Sequence, residues 1–345
     1  MKIIQSMDIH QFRGLRDVQF DDFGDINFFV GNGNSGKTSV LEALYLWRAP
    51  NNGGTLISTA YLRPHSANPS IFQAIKYLFP VFGDNEIKLT SIIKNEKNSF
   101  KVSGDFETRI LSYTDFDDET GEEVESEREI ECFVGEHVHN GVKTPLLLGA
   151  HYLRLLALKE VLLPLQYVSP SRHLTGNVMN EDLLPHKESI TKLLRLFDED
   201  IIDFESAPDK RGYRNIEYIK HKIHGLMPLF TFGDGLRRAL VLASHIAMSQ
   251  NGVLLIDEID TSMHISILPK IFNWLAAACK AFNVQLFATT HSLDAVHYMT
   301  KSAVADPDID LVIYKIDKHE GRFYPKRYSE EKLMNVVVEM GMDIR

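Results

Sequence analysis

Gly31, Gly36, Lys37 and Thr38 stand in the spacing Gly-x-x-x-x-Gly-Lys-Thr, an arrangement that wraps backbone N–H groups around phosphate oxygens. Glycines let the backbone approach closely, and the N-terminus of the following helix adds a favourable dipole. On this reading Asn32, Gly33, Asn34, Ser35, Gly36, Lys37, Thr38 and Ser39 contact a nucleotide. Lys37 bridges the β- and γ-phosphates, and Thr38 offers its hydroxyl to Mg2+. Two acids, Asp257 and Glu258, close the apolar run Val253-Leu254-Leu255-Ile256. Carboxylates at the end of a buried strand are costly unless they hold something. Asp257 is therefore read as a second Mg2+ ligand, and Glu258 as the general base that polarises an attacking water. His291, in Thr289-Thr290-His291-Ser292, is placed to contact the γ-phosphate and that water. Gly233, Asp234 and Gly235 precede the helical Leu236-Arg237-Arg238-Ala239-Leu240 and make a second anion-binding helix N-terminus.

These groups need elements to hold them. Ile26 to Val30 is a short apolar strand that runs into the glycine-rich turn, and Ser39 to Trp47 has apolar spacing near 3.6. Val253–Ile256 and Val284–Ala288 are apolar runs of the length expected for buried parallel strands. The chemistry thus sits at strand ends in an α/β arrangement. Residues 50–70 read as loop.

Between the two halves the pattern changes. Glu86–Ile92, Ser99–Phe106 and Ile130–Val134 alternate in the manner of strands, so 81–145 is expected to form a β-rich insertion. Asp115 to Glu131 holds ten carboxylates and one arginine, Arg128, and reads as a solvated hairpin tip. Segments 150–163 and 181–225 are expected to form a short helical lobe around the strand-like Leu165–Ser169. The nucleotide-binding domain would then be discontinuous, built from 1–80 and 165–345.

Composition sets the class. The 345 residues are 44% hydrophobic, 24% charged and 10% aromatic, as in ordinary globular domains. No apolar run reaches the ~20 residues that span a bilayer, the opening residues alternate as a strand does rather than as a signal peptide, and Cys132 and Cys279 form no CxxC or metal spacing. A cytoplasmic protein with buried thiols and no membrane insertion is expected. The net charge of −10 gives no support for nucleic-acid binding, although a local basic groove stays open.

Phosphate loop, signature loop, Asp-Glu strand and switch histidine, in this order, resemble ABC-class ATPases. Within that class the chain resembles the RecF/SMC-like and overcoming-lysogenization-defect (OLD) group over residues 1–50 and roughly 165–345. Ile9-His10-Gln11-Phe12-Arg13-Gly14-Leu15 is similar to the group's first strand, where the Phe-Arg pair approaches the nucleotide, and this adds Arg13 to the binding residues. Asp260-Thr261-Ser262-Met263-His264 resembles its D-loop, and Val312–Lys315 through Arg345 its closing strand and tail.

The resemblance implies an ABC-type fold, a mixed sheet with flanking helices, and use of ATP and Mg2+ with hydrolysis to ADP and phosphate. It also implies a homodimer or higher homo-oligomer in which Gly233, Asp234 and Gly235 contact the partner's γ-phosphate in trans. Gly233 stands where the pattern has a serine, which removes one hydroxyl contact and implies slow turnover; Thr231 is a substitute. Gln166 is the nearest glutamine-loop residue, with Arg172 as another polar group near the site. The stretch after His291 is too short for the Toprim nuclease of OLD nucleases, so the expected role is the ATPase subunit of an OLD-like antiviral assembly with a separate nuclease or toxin-like effector. A RecF-like DNA-repair ATPase and a transporter ATPase are the alternatives.

Overall fold

The computed structural model describes residues 2–63, 69–81, 83–116, 123–149, 161–174, 181–208, 215–335 and 343. Its centre is a six-stranded mixed sheet. Strands β8 (Leu165–Val168), β12 (Val253–Ile256), β13 (Gln285–Thr289), β3 (Ile26–Val30) and β14 (Leu311–His319) run parallel in that order, and β15 (Arg322–Ser329) adds an antiparallel edge. Both faces are covered, which is why β12 is apolar throughout and β3 and β13 are buried along their whole length. Alternate residues feed two cores. Phe29, Leu255 and Phe287 face one side with Val40, Leu41 and Leu44, whereas Phe28, Val30, Leu254 and Ile256 face the other with Phe272 and Val296.

The first core is closed by an antiparallel sheet of β1 (Ile4–Phe12), β2 (Leu15–Phe20), β4 (Glu86–Ile93), β5 (Glu96–Phe116), β6 (Glu123–His139) and β7 (Val142–Gly149), in the order β2-β1-β4-β5-β6-β7. Helix α1 (Lys37–Tyr45) lies between the sheets. The second core is closed by α6 (Leu268–Ala281) and α7 (Leu293–Val304). Gln285, fully buried at the start of β13, staples the layers: its amide accepts from the N–H groups of Ile3 and Ile4 and donates to the carbonyls of Ile4 and Gly24.

Three expectations change. Residues 50–70 are not all loop, because α2 (Gly53–Ala60) lies within them, its first turn capped by the Asn52 side chain, and α3 (Ile71–Lys76) follows. The β-rich region is no separate unit, because β1 pairs directly with β4, so a boundary at residue 81 would cut through one sheet. The region 181–225 is mostly not helical. A 3-10 turn at Glu181–His186 and α4 (Lys187–Leu194) are followed by three antiparallel strands, β9 (Ile201–Pro208), β10 (Asn215–His221) and β11 (Gly225–Pro228). The reason is local: Ile201 and Phe204, three apart, are both buried and read as helical, but the pairing shifts register between them, and in β10 Glu217, Ile219 and His221 are buried in the period of two that a pleated surface requires. This small sheet and α4 pack with α5 (Asp234–Met248) around a third core that includes Leu193, Phe204, Ile219 and Leu240.

Of the remaining helical expectation, at 150–163, residues 150–160 lie outside the described residues and 161–163 are not helical; the centre of the acidic stretch at 117–122 and nearly all of the tail beyond 335 lie outside them too. Glu127, Glu129 and Glu131 of that stretch are exposed on β6. Among the described residues no helix is long and apolar enough to cross a membrane.

Candidate functional site

The phosphate loop leaves β3 at Val30 and enters α1 at Lys37. Two glycines are required by geometry. Gly31 has φ +148°, and a Cβ there would meet the Ile316 carbonyl oxygen at 2.5 Å. Gly36 caps α1 with φ +84°, and a Cβ would sit 2.9 Å from Leu15. Both conformations are open to glycine and costly for other residues. Lys37 folds back over the loop and donates to the carbonyls of Gly31 at 2.7 Å and Asn32 at 2.9 Å. Burial lowers its pKa from the ordinary lysine value, against the pull of Asp257 and Glu258.

Asp257 emerges from β12 into a set of hydroxyls. Thr38 donates to both of its carboxylate oxygens at 3.2 and 3.1 Å, Thr289 to Oδ1 at 2.5 Å and Tyr167 to Oδ2 at 3.2 Å. The next residue, Glu258, takes φ +48°, and its N–H donates to Thr289 Oγ1 at 2.8 Å. A left-handed conformation at a non-glycine residue is strain of the kind that collects at functional sites. The Glu258 carboxylate accepts from Thr261 at 3.2 Å. Thr290 and Asp260 are joined by a short hydrogen bond at the 2.5 Å limit of normal geometry.

A cleft of about 590 Å³ joins these groups. It is lined by Gly33 to Ser39, Asp257, Glu258, Thr289 and His291, with Gly14, Leu15, Arg63 and Phe323 forming the rest of its wall. The loop, the acid pair and the histidine, far apart in the chain, therefore meet in one place. Thr38 and Asp257 offer oxygen donors side by side, the ligand chemistry that suits Mg2+.

Other expected residues sit elsewhere. Asn32 contributes its carbonyl to Lys37 rather than a wall of the cleft. Arg13 is drawn away by Glu42, a fully buried carboxylate on α1. Its guanidinium donates to Glu42 at 3.0 Å and to the Tyr77 carbonyl at 2.8 Å, while its neighbours Gly14 and Leu15 line the cleft. Gln166 does not line the cleft; strand alternation sends it to the face that Val168 buries, while Tyr167 turns toward Asp257. Arg172 is outside the cleft wall as well. Gly233, Asp234 and Gly235 begin α5 beside Ser262, outside the chain's own cleft. The Thr231 hydroxyl donates to the Pro228 carbonyl at 2.7 Å.

Four contributors went unread in the sequence. Arg63 reaches the cleft, forks onto Glu42 at 2.7 and 2.8 Å and donates to Ser39 at 3.1 Å. Thr289 and Tyr167 hold Asp257. Arg238 is fully buried on α5, where burial lowers its pKa to about 10, and it donates to the carbonyls of Ser169, Asp257 and Glu258. Only Thr289 carried a local signal, a hydroxyl at the end of a strand leading to a histidine.

With the geometry in place, comparison with known proteins decides the family. Residues 26–296 match the family model described as "AAA domain, putative AbiEii toxin, Type IV TA system". The chain belongs to that family. Its relatives include an ATP/GTP phosphatase of Helicobacter pylori, 21% identical over 373 aligned positions that cover 96% of this chain and 97% of that protein. An uncharacterized protein of Methanocaldococcus jannaschii, MJECL11, is 30% identical over 113 residues, 33% of this chain and 98% of that one. The DNA replication and repair protein RecF of Coxiella burnetii is 44% identical over 45 residues, 13% of each chain. Among solved structures, an Smc head bound to the C-terminal winged-helix domain of ScpA superposes with a TM-score of 0.54 at 13% identity, covering 97% of this chain and all of that one. A Pyrococcus furiosus Smc head gives 0.54 at 10% identity over 98% and 99%. The family member described here thus has the α/β fold of an ABC-type ATPase head, and it is an ATPase-class domain related to RecF.

Proposed function

We propose that the chain binds ATP with Mg2+ in the cleft and hydrolyses it to ADP and phosphate. One observation carries this reading: Lys37, Thr38, Asp257, Glu258 and His291 line or border a single cleft. Thr38 and Asp257 would hold the cation, which when bound supplies positive charge against the phosphate oxygens. Lys37 would exchange the loop carbonyls for phosphate oxygens, and the N–H groups of Gly33 to Ser39 would cradle them. Glu258 would accept the proton of the attacking water, and His291 would orient that water and the γ-phosphate.

Gly233, Asp234 and Gly235 stand outside the chain's own cleft, which supports their use in trans on the ATP of a second copy, in a homodimer or higher homo-oligomer. With Gly233 in the place of a serine, slow turnover is expected. The wider role we propose is the ATPase subunit of an OLD-like antiviral assembly that signals to a separate nuclease or toxin-like effector; the toxin–antitoxin system named in the family description supports it. A RecF-like DNA-repair ATPase is the second reading, favoured by the 45-residue RecF match.

Binding of a fluorescent ATP analogue, with phosphate release measured in parallel, tests the chemistry. Wild-type protein should bind and turn over slowly, and Lys37→Ala should do neither. Unchanged affinity in Lys37→Ala would remove the phosphate loop from the mechanism. Affinity purification from the source cells tests the role: a stoichiometric nuclease or toxin-like partner supports the effector model, and recovery with DNA alone supports the second reading.

A further inference from the structure

Both carboxylate oxygens of Asp257 are anchored by hydroxyls that belong to the strands on either side of it. β8 and β13 flank β12, and they bring Tyr167 to Oδ2 at 3.2 Å and Thr289 to Oδ1 at 2.5 Å. Tyr167 is itself fixed, its ring edge-on to Tyr45 of α1 at 6.3 Å and 80°. Its phenol O–H is the donor in the bond to Asp257.

A phenol adds no charge to the site and is no ligand in its neutral form. What it adds is restraint on the carboxylate. Mg2+ demands a near-ideal octahedron at about 2.0–2.1 Å, whereas Ca2+ takes six to eight ligands at about 2.3–2.6 Å and exploits carboxylates that can swing into bidentate contact. Selection between the two is a matter of ligand number and flexibility. We propose that Tyr167 is a specificity-determining residue for the cation: together with Thr289 it holds Asp257 in one orientation, so that the cleft accepts Mg2+ and Mn2+ and discriminates against Ca2+. This rests on the reading that Asp257 holds the cation of a nucleotide-loaded cleft.

Tyr167→Phe keeps the ring and removes only the donor. Mn2+ binding to the protein saturated with a non-hydrolysable ATP analogue is followed by electron paramagnetic resonance, with Mg2+ and Ca2+ as competitors. Loss of an outer hydrogen bond to a metal ligand costs about ten- to a hundredfold in affinity, so Mn2+ and Mg2+ should weaken by about tenfold while Ca2+ holds within about twofold. Thr289→Val, which removes the other donor, should narrow the preference in the same direction and serves if the tyrosine variant does not fold. Wild-type selectivity in either folded variant would overturn the proposal, as would an equal loss of all three cations, which would make these residues structural only. Failure of wild-type protein to bind the analogue either with or without divalent cations would sink the nucleotide reading itself, and this inference with it.

Discussion

Arg238 on α5 donates from a fully buried guanidinium to the backbone carbonyl of Asp257 at 3.2 Å. The same side chain reaches the carbonyls of Ser169 at 2.6 Å and Glu258 at 3.3 Å, so the helix behind the Gly233–Gly235 loop is tied to the backbone that carries both acids. Arg238→Met should leave these carbonyls unsatisfied. Hydrogen bonds to charged groups contribute about 1.5–3 kcal/mol each, so a loss of about 2–4 kcal/mol in urea denaturation is expected, and Arg238→Lys should recover only part of it. A loss under about 1 kcal/mol for Arg238→Met would show that the guanidinium is not needed there.

Glu258→Gln removes the basic oxygen while keeping the size of the side chain and a partner for Thr261. Nucleotide affinity should stay near wild type, and phosphate release should fall by about a hundredfold or more, in line with loss of a general base. Light scattering with ATP present should then report a persistent dimer. Hydrolysis at the wild-type rate would exclude Glu258 as the base.

Glu42 is fully buried between two guanidinium groups, at 2.8 Å from Arg13 and 2.7 Å from Arg63. Neutralising it strands two cations beside one another. Glu42→Gln should cost about 3–5 kcal/mol, the usual penalty for breaking a buried pair from one side. Because Arg63 also reaches Ser39 in the cleft, nucleotide affinity should fall with stability. A soluble, fully stable Glu42→Gln protein would contradict the charge balance described above.

His245 is buried on α5, and its Nδ1–H donates to the Val241 carbonyl at 2.8 Å. Burial lowers its pKa to about 4, below the ordinary 6.5, so the unfolded chain binds a proton that the folded one refuses. Stability is therefore complete above pH 6.5 and declines as pH falls toward 4, by about 3 kcal/mol for a shift of that size. Burial lowers His137, His139 and His173 in the same sense. Urea midpoints measured across this window should slope downward with acid, and His245→Gln should flatten part of the slope. An identical slope in that variant would assign the effect to other groups.

The parts of the site that the sequence made legible are those whose chemistry is local. A phosphate loop needs eight consecutive residues, and Asp257 with Glu258 needs only an apolar strand before it. Arg63 was hidden because its place depends on Glu42, 21 residues back, whose carboxylate is invisible as a partner until α1 is buried. The same carboxylate explains Arg13: the Phe-Arg motif put it near the nucleotide, but the buried charge claims its guanidinium. Gln166 has the residue type of a glutamine loop, but strand parity turns Tyr167 and not Gln166 toward Asp257. The strands at 201–228 went unread because short alternating runs beside a helix give little periodic signal.

The interior strand β3, which carries the phosphate loop, has a consequence for how this protein comes into being. β3 is flanked by β13 and β14, and its first pairings are Ile26 with Leu286 and Ile26 with Leu311. During synthesis the phosphate loop leaves the ribosome some 260 residues ahead of the strands that seat it. Until then Ile26–Val30 is an apolar edge with nothing beside it, the kind of segment that invites off-pathway association. Assembly of the nucleotide cleft is thus a late event dominated by long loop closures, which are slow. Yield of active protein should respond to growth temperature and chaperone supply more than the stability of the finished fold would suggest.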